Sequence, residues 1–194
     1  MYITLLKTAI VLIMISLLGG CVGGAVVAGA AVGGASVGVD PRSAEVMFDD
    51  ERIELTAAHR IGQTPGLDTT TNIAATSFNH VVLLTGQATT PQARDTTIDV
   101  VRHVDKVRQV HNAVTIGPVS SVESRFKDAG LTTKVKLALL SSKGFSAANA
   151  KITTEGKVVY LMGVVSHAMA KNIHDTVQQV DGVKRVVDVF EYTD

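Results

Sequence analysis

A pattern that the chain writes twice constrains its fold more than any other feature. Val81-Val82-Leu83-Leu84-Thr85-Gly86 recurs 77 residues later as Val158-Val159-Tyr160-Leu161-Met162-Gly163. Val104-Asp105-Lys106-Val107-Arg108-Gln109-Val110 recurs 76 residues later as Val180-Asp181-Gly182-Val183-Lys184-Arg185-Val186. The change of offset places a single-residue gap in the intervening helix or its loop. Helical stretches at Glu51–Ile61 and Leu131–Leu140 precede the two copies at a similar distance. An internal repeat of this kind means two copies of one supersecondary unit.

Each copy reads in the same order. After the first helix comes a short strand (Asn72–Ser77; Ala150–Thr154). A tight turn, Glu155-Gly156 in the second copy, leads to a longer strand (Val81–Ala88; Lys157–Val164), which is a hairpin signal. A second helix follows (Pro91–Val104; Ser166–Val180), with Pro91 early, where its missing N–H costs least. A β-rich strand closes the copy (Val110–Ile116; Val186–Tyr192). The expected class is α+β: two tandem αββαβ sandwiches, each a three-stranded mixed sheet covered by two helices. Units of about 65 residues have thin cores, so packing of one unit on the other is expected. Residues 62–71 (GQTPGLDTTT) read as a polar loop and 117–130 as a connector. Gly86 and Gly163 sit at equivalent places, where a glycine allows a bulge or a positive φ as the chain leaves the sheet.

The N-terminus differs in kind. Residues 1–39 carry one charge, Lys7, and Ala9–Leu18 is a ten-residue apolar run. That length suits a signal-peptide core and is short for a bilayer span. It ends in Leu18-Gly19-Gly20-Cys21, which resembles the lipobox of bacterial lipoproteins. Small residues let an extended backbone enter a peptidase cleft, and a thiol can carry a diacylglycerol. The chain's one cysteine stands there. Lipidation of Cys21 after removal of residues 1–20 is therefore expected, and several acyl chains make anchoring durable where one gives marginal binding. By analogy with such lipoproteins, Val22 after the cysteine directs the protein to the outer membrane, facing the periplasm. Residues 22–39 hold six Gly, five Ala, six Val and one Ser. They read as a flexible or membrane-associated spacer. A helical span is the alternative, at about 1 kcal/mol for each glycine, and Gly29/Gly33 and Gly34/Gly38 have the spacing of close helix packing. Asp40-Pro41-Arg42-Ser43 ends the stretch.

A hydrophobic strand ending in Gly, then a helix, then V-x-G-V-x-x-V, resembles the BON domain (bacterial osmotically inducible and nodulation proteins). The residues that carry the resemblance are Asp40-Pro41-Arg42-Ser43, Leu131-Thr132-Thr133-Lys134-Val135, Lys151-Ile152-Thr153-Thr154-Glu155 and Val180-Asp181-Gly182-Val183-Lys184-Arg185-Val186. Two such units behind a lipobox look like the dual-BON outer-membrane lipoproteins that bind phospholipid and maintain envelope integrity. The second unit matches best; in the first, Lys106 stands where the motif has Gly. The expected organisation is a signal peptide over 1–20, an anchored linker over 21–48, and BON units over 49–117 and 118–194. The resemblance implies no catalytic residue and no cofactor.

Charge points to the second unit as the membrane-facing one. The chain carries 18 basic and 18 acidic residues, which argues against a nucleic-acid binder. From Asp50 to Ile116 there are six basic and seven acidic residues; from Leu131 to Asp194 there are eight and six. On the helix beginning at Leu131, that residue shares an ordinary core stripe with Val135, Ala138 and Leu139. Thr133, Leu137 and Leu140 fall on the opposite side, flanked by Lys134 and Lys136. An apolar patch rimmed by lysines fits an interfacial helix. Thr133, Lys134, Lys136, Leu137 and Leu140 are thus the candidate contacts for an anionic phospholipid membrane. Two alternatives stay open. Leu137 and Leu140 could pack on the first unit or on residues 117–130. The whole protein could instead be an adaptor that docks envelope protein partners through sheet faces or the first unit.

Catalytic and metal signals are weak. The six histidines (His59, His80, His103, His111, His167, His174) form no HxH, HxxxH or H-E-x-x-H pattern. His167 and His174 are seven apart and could share a helix face, but no cysteine or paired carboxylate accompanies them. Walker A and CxxC motifs are missing from the sequence. No metal, cofactor or enzymatic activity is expected.

Overall fold

The computed structural model describes residues 42–142 and 150–194. Cys21, the expected signal segment, the Gly/Ala/Val-rich stretch and Lys143 lie outside the described residues. The first unit comprises α1 (Ala44–Gln63), a one-turn helix α2 (Leu67–Thr70), β1 (Thr71–Phe78), β2 (Val81–Ala88), α3 (Pro91–Arg102) and β3 (Gln109–Ile116). The second comprises α4 (Val122–Leu140), β4 (Ala150–Glu155), β5 (Val158–Val165), α5 (His167–Gln178) and β6 (Arg185–Tyr192). In each unit the middle strand pairs antiparallel with the strand before it and parallel with the last one. An antiparallel neighbour needs only a two-residue turn, whereas the parallel one needs a crossover, supplied by α3 or α5.

The α1 and α4 helices start earlier than hydrophobic periodicity indicates. Ser43 and Ser121 cap them, each side-chain oxygen accepting a backbone N–H three residues on, from Val46 and Ser124. The expected connector 117–130 is thus largely the first half of α4. α1 likewise begins at Ala44, inside the span assigned to the linker. The physical reason lies at one inward position per helix. Buried aspartates, Asp50 and Asp128, stand there in place of apolar residues, so the apolar stripe begins only at Ile53 and Leu131.

Both carboxylates hold a hairpin turn. The turns are Asn79-His80 and Gly156-Lys157, one residue later than expected in the second unit, with φ of 53°, 64°, 57° and 64°. Two successive positive φ values define the tight turn whose twist matches a hairpin, and they leave backbone N–H groups pointing inward. Asp50 accepts from the N–H of Asn79 and of His80, each at 2.8 Å. Asp128 accepts from the N–H of Gly156 and of Lys157, each at 2.9 Å.

Residues 62–71 are more ordered than a polar loop. α1 continues to Gln63, and Gly66 (φ 84°) turns the chain into α2, which buries Leu67. One apolar side chain among nine polar or small residues suffices to dock the segment. Gly86 takes φ 117°, and a Cβ there would stand 2.0 Å from the Asn72 carbonyl oxygen on the paired strand. At the V-x-G-V position Gly182 has φ 100°, and Lys106 adopts the same left-handed region with φ 66°. Its ammonium group reaches Asp49 at 2.7 and 2.9 Å, a bond that Gly cannot make.

Strand alternation then builds three cores. Val82 and Leu84 of β2 face α1 and α3, meeting Ile53, Ala57 and Val101. Val159, Leu161 and Val165 of β5 face α4 and α5, meeting Leu131, Val135, Leu139, Ile173 and Val177. The opposite sheet faces meet each other: Phe78, Val81 and Leu83 of the first unit form a third cluster with Tyr160 and Met162 of the second. Middle strands buried on both faces explain why β2 and β5 read as continuous apolar runs. Polar bonds rim the seam. Lys151 bridges to Glu54 at 2.5 Å, Gln87 donates to Glu155 at 2.6 Å, and Asn79 donates to Glu191 at 2.8 Å.

Candidate functional site

With sheets facing sheets, the helices lie on the faces of the units turned away from the seam. α4 is therefore free to present a face, and its sequence gives that face a definite character. Glu123 in the first turn pairs with Lys127 at 2.6 Å, an i,i+4 bond that supports an exposed helix. Asp128, Leu131, Val135 and Leu139 point inward. On the other side Val122, Phe126, Leu137 and Leu140 are 60%, 74%, 61% and 59% exposed. With Ala129 and Thr133 between them, they recur every three or four residues along the whole helix, one continuous outer stripe.

All five residues singled out on this helix lie on the surface: Thr133, Lys134, Lys136, Leu137 and Leu140 are exposed. Neither leucine is covered by the first unit or by residues 117–130. Thr133 spends its hydroxyl on its own helix, donating to the Ala129 carbonyl at 3.1 Å. Lys134 and Lys136 make no hydrogen bond or ion pair among the described residues. Phe126 and Val122 belong to the same face and were missed, because α4 had been started at Leu131. The repeat itself held the signal: Phe48 and Phe126, with Asp50 and Asp128, stand in the two copies at a common offset of 78.

The first unit shows a weaker counterpart. Phe48 and Leu55 on α1 are 73% and 66% exposed, but Glu45 and Glu51 accompany them, with Arg52 as the nearby cation. Acidic side chains thus accompany the exposed apolar residues of α1, and lysines those of α4. The histidines pair separately rather than converging: His167 Nδ1 lies 2.8 Å from Asp194, and His174 Nδ1 lies 2.8 Å from Asp188. His167 also stacks on Tyr192, ring centroids 3.9 Å apart.

Two concavities border α4 where it meets β4. A cavity of about 350 Å³ is lined by Lys136 and Leu140 of the helix, Ala150, Lys151, Ile152 and Thr153 of β4, and Thr76 of the first unit. A shallower one of about 430 Å³ shares Lys136, Ile152 and Thr153 and adds Arg125, Asp128 and Glu155. No helix among the described residues is long and apolar enough to cross a membrane.

Comparison with known proteins agrees with this architecture. The BON domain matches residues 49–118 and 127–194. Outer membrane lipoprotein DolP of Haemophilus influenzae (strain ATCC 51907 / DSM 11121 / KW20 / Rd) is 34% identical over 193 residues, 97% of this chain and 96% of that protein. A 21 kDa hemolysin of Actinobacillus pleuropneumoniae is 31% identical over 154 residues, 79% of each. Among solved structures, the C-terminal domain of CdsD, the structural protein of the Type III secretion system of Chlamydia trachomatis, aligns with a TM-score of 0.30 and 15% identity. That alignment covers 75% of this chain and 67% of the other, and is too loose to add to the fold.

Proposed function

This chain belongs to the BON-domain family as a dual-BON outer-membrane lipoprotein, and from that premise we propose that it binds anionic phospholipid through the outer face of α4 in its second unit and so supports outer-membrane integrity. One observation carries the reading. The longest exposed apolar stripe in the described residues, Val122-Phe126-Leu137-Leu140, is flanked by two lysines that have no partner among those residues. Lipidation at Cys21 would hold the molecule at the bilayer, and the α4 face would decide how it lies there. Each large side chain, fully buried, contributes roughly 1.5–3 kcal/mol, and each Lys beside an anionic surface about 1 kcal/mol. Those sums suffice for weak binding added to an acyl anchor.

The test is co-sedimentation of residues 40–194, which contain all three cores, with phosphatidylcholine vesicles carrying phosphatidylglycerol. Binding should need the anionic lipid and weaken with salt. Leu137→Glu and Phe126→Ser should each reduce it while leaving the melting temperature unchanged. Undiminished binding by both variants would remove α4 as the contact. The second reading, a protein-docking role for the first unit, has its own observation in exposed Phe48 and Leu55. It requires that the soluble fragment ignore vesicles and that Leu55→Glu abolish capture of a periplasmic partner.

A further inference from the structure

We infer that the cavity at the seam of the two units is a seat for the phosphodiester of a single phospholipid headgroup; the inference rests on the reading of α4 as the lipid-binding face and extends it to a defined subsite. Its volume, about 350 Å³, is at the lower end of ligand clefts. Ile152 and Ala150, both buried, form an apolar floor, and exposed Leu140 stands at the margin. Its polar lining is made of donors: the ammonium groups of Lys136 and Lys151 and the hydroxyls of Thr76 and Thr153. Among the described residues, no carboxylate belongs to this lining. The neighbouring concavity, by contrast, includes Asp128 and Glu155, which would repel a phosphate.

The donors differ in readiness. Lys151 is committed to Glu54 at 2.5 Å and to the Ser77 carbonyl at 3.3 Å. That leaves Lys136 as the uncompensated charge, without a partner among the described residues. Thr76 and Thr153 face each other at 3.5 Å, the outer limit of a hydrogen bond, so either hydroxyl can turn to a better acceptor. A phosphodiester oxygen is such an acceptor, its charge makes the hydroxyl bond stronger than the hydroxyl–hydroxyl one it replaces, and Lys136 would add a charge-assisted bond of its own. Lys136 and Leu140 belong to both the cavity and the outer edge of α4. A lipid with its phosphate in the cavity would therefore have its glycerol and acyl chains beside the apolar stripe. Thr76 comes from the first unit, which gives that unit a part in lipid recognition that its own acidic helix could not play.

The experiment uses the full chain in neutral detergent, with melting temperature as the readout of ligand binding. Dihexanoyl phosphatidylglycerol should raise it, and inorganic phosphate should do so far less at equal concentration. Lys136→Ala should weaken the apparent affinity for the short-chain lipid about fivefold. Thr153→Val, which leaves charge unchanged, should weaken it by a similar factor, and Thr153→Ser should restore it. Lys171→Ala, on α5 and outside the cavity, should have little effect. Equal losses for Lys171→Ala and Lys136→Ala, with none for Thr153→Val, would mean a diffuse electrostatic surface and overturn the seat. Stabilisation by inorganic phosphate as great as by lipid would overturn the headgroup assignment. Failure of the α4 face itself is read separately, from vesicle binding by Leu137→Glu.

Discussion

Thr76 and Thr153 occupy the same place in the two copies, 77 residues apart, and their hydroxyls face each other at 3.5 Å across the seam. Contact between equivalent positions marks a two-fold-like pairing, as in a symmetric dimer. Leu83 and Tyr160 are equivalent in the same way and are buried in the same cluster. The duplicated sequence thus packs as a dimer joined into one chain, and the copies diverge in the charge of their exposed outer helices.

A first prediction concerns that seam. Leu83→Ala should cost about 2–5 kcal/mol, as cavity-forming substitutions of buried leucine do, although Leu83 belongs to the first unit. Its effect should reach Tyr160 in the second. Burial holds the Tyr160 phenol above its ordinary value of 10.0, so its stabilising contribution is present below that pH and lost as pH rises through the higher folded value. Loosening the seam should bring its titration down toward 10.0. Ultraviolet titration of Leu83→Ala, with Tyr160→Phe to identify the signal, checks this.

Asp128→Ala should destabilise the second unit by about 2–3 kcal/mol, because two inward N–H groups lose a charged acceptor. Asp128→Asn should recover only part of this, since one carboxylate oxygen becomes a donor facing a donor. Urea unfolding measures both. The matching substitutions at Asp50 should fall on the first unit and be larger, because Asp50 also accepts from the Ser77 hydroxyl at 2.7 Å and pairs with Arg42 at 2.8 Å.

The pair that replaces a glycine should be visible in pH dependence. The Lys106 ammonium, by hydrogen bond and then by charge, holds Asp49 below its ordinary 3.8, and Asp49 in turn raises Lys106 above its ordinary 10.5. The carboxylate's contribution is present above 3.8 and lost as pH falls through the lower folded value. That of the ammonium is present below 10.5 and lost as pH rises through the higher one. Lys106→Met keeps the aliphatic stem and the backbone demand and removes the charge. Its melting temperature should trail the parent protein's across the middle range, and the gap should close at both extremes. A gap of constant size at every pH would show that the ion pair contributes nothing.

Two glycines should respond oppositely to the same change. Gly86→Ala places a Cβ against the Asn72 carbonyl at a φ of 117°, and should cost about 3 kcal/mol or more. Gly130→Ala meets open space in the middle of α4 and should stabilise by about 0.5–1 kcal/mol through helix propensity. Thermal unfolding of the two variants compares them directly.

The element order was legible because it rests on local signals. Val81–Ala88 and Pro91 mark a strand and a helix start wherever they occur, and duplication provided a second copy to check the first against. Helix starts were not legible, since Asp50 and Asp128 interrupt the apolar period at the inward positions. A buried carboxylate looks like a surface residue until its acceptors are known to be filled by a turn some 28 residues away. Missing those starts hid Val122 and Phe126, and with them half of the exposed stripe.

What the sequence determined by itself was the repeat, the order of elements, and the opposed apolar stripes of α4, all properties of spacing along one segment. Which stripe is covered was decided only in three dimensions. The two sheets bury each other through Leu83 and Tyr160, helices are left on the remaining faces, and Leu137 and Leu140 consequently stay mostly exposed. The cavity between Lys136 and Thr76 is likewise a property of the assembled pair, because its walls come from residues 60 positions apart that share nothing along the chain. Burial depends on what lies across a gap, and no local pattern encodes the far side.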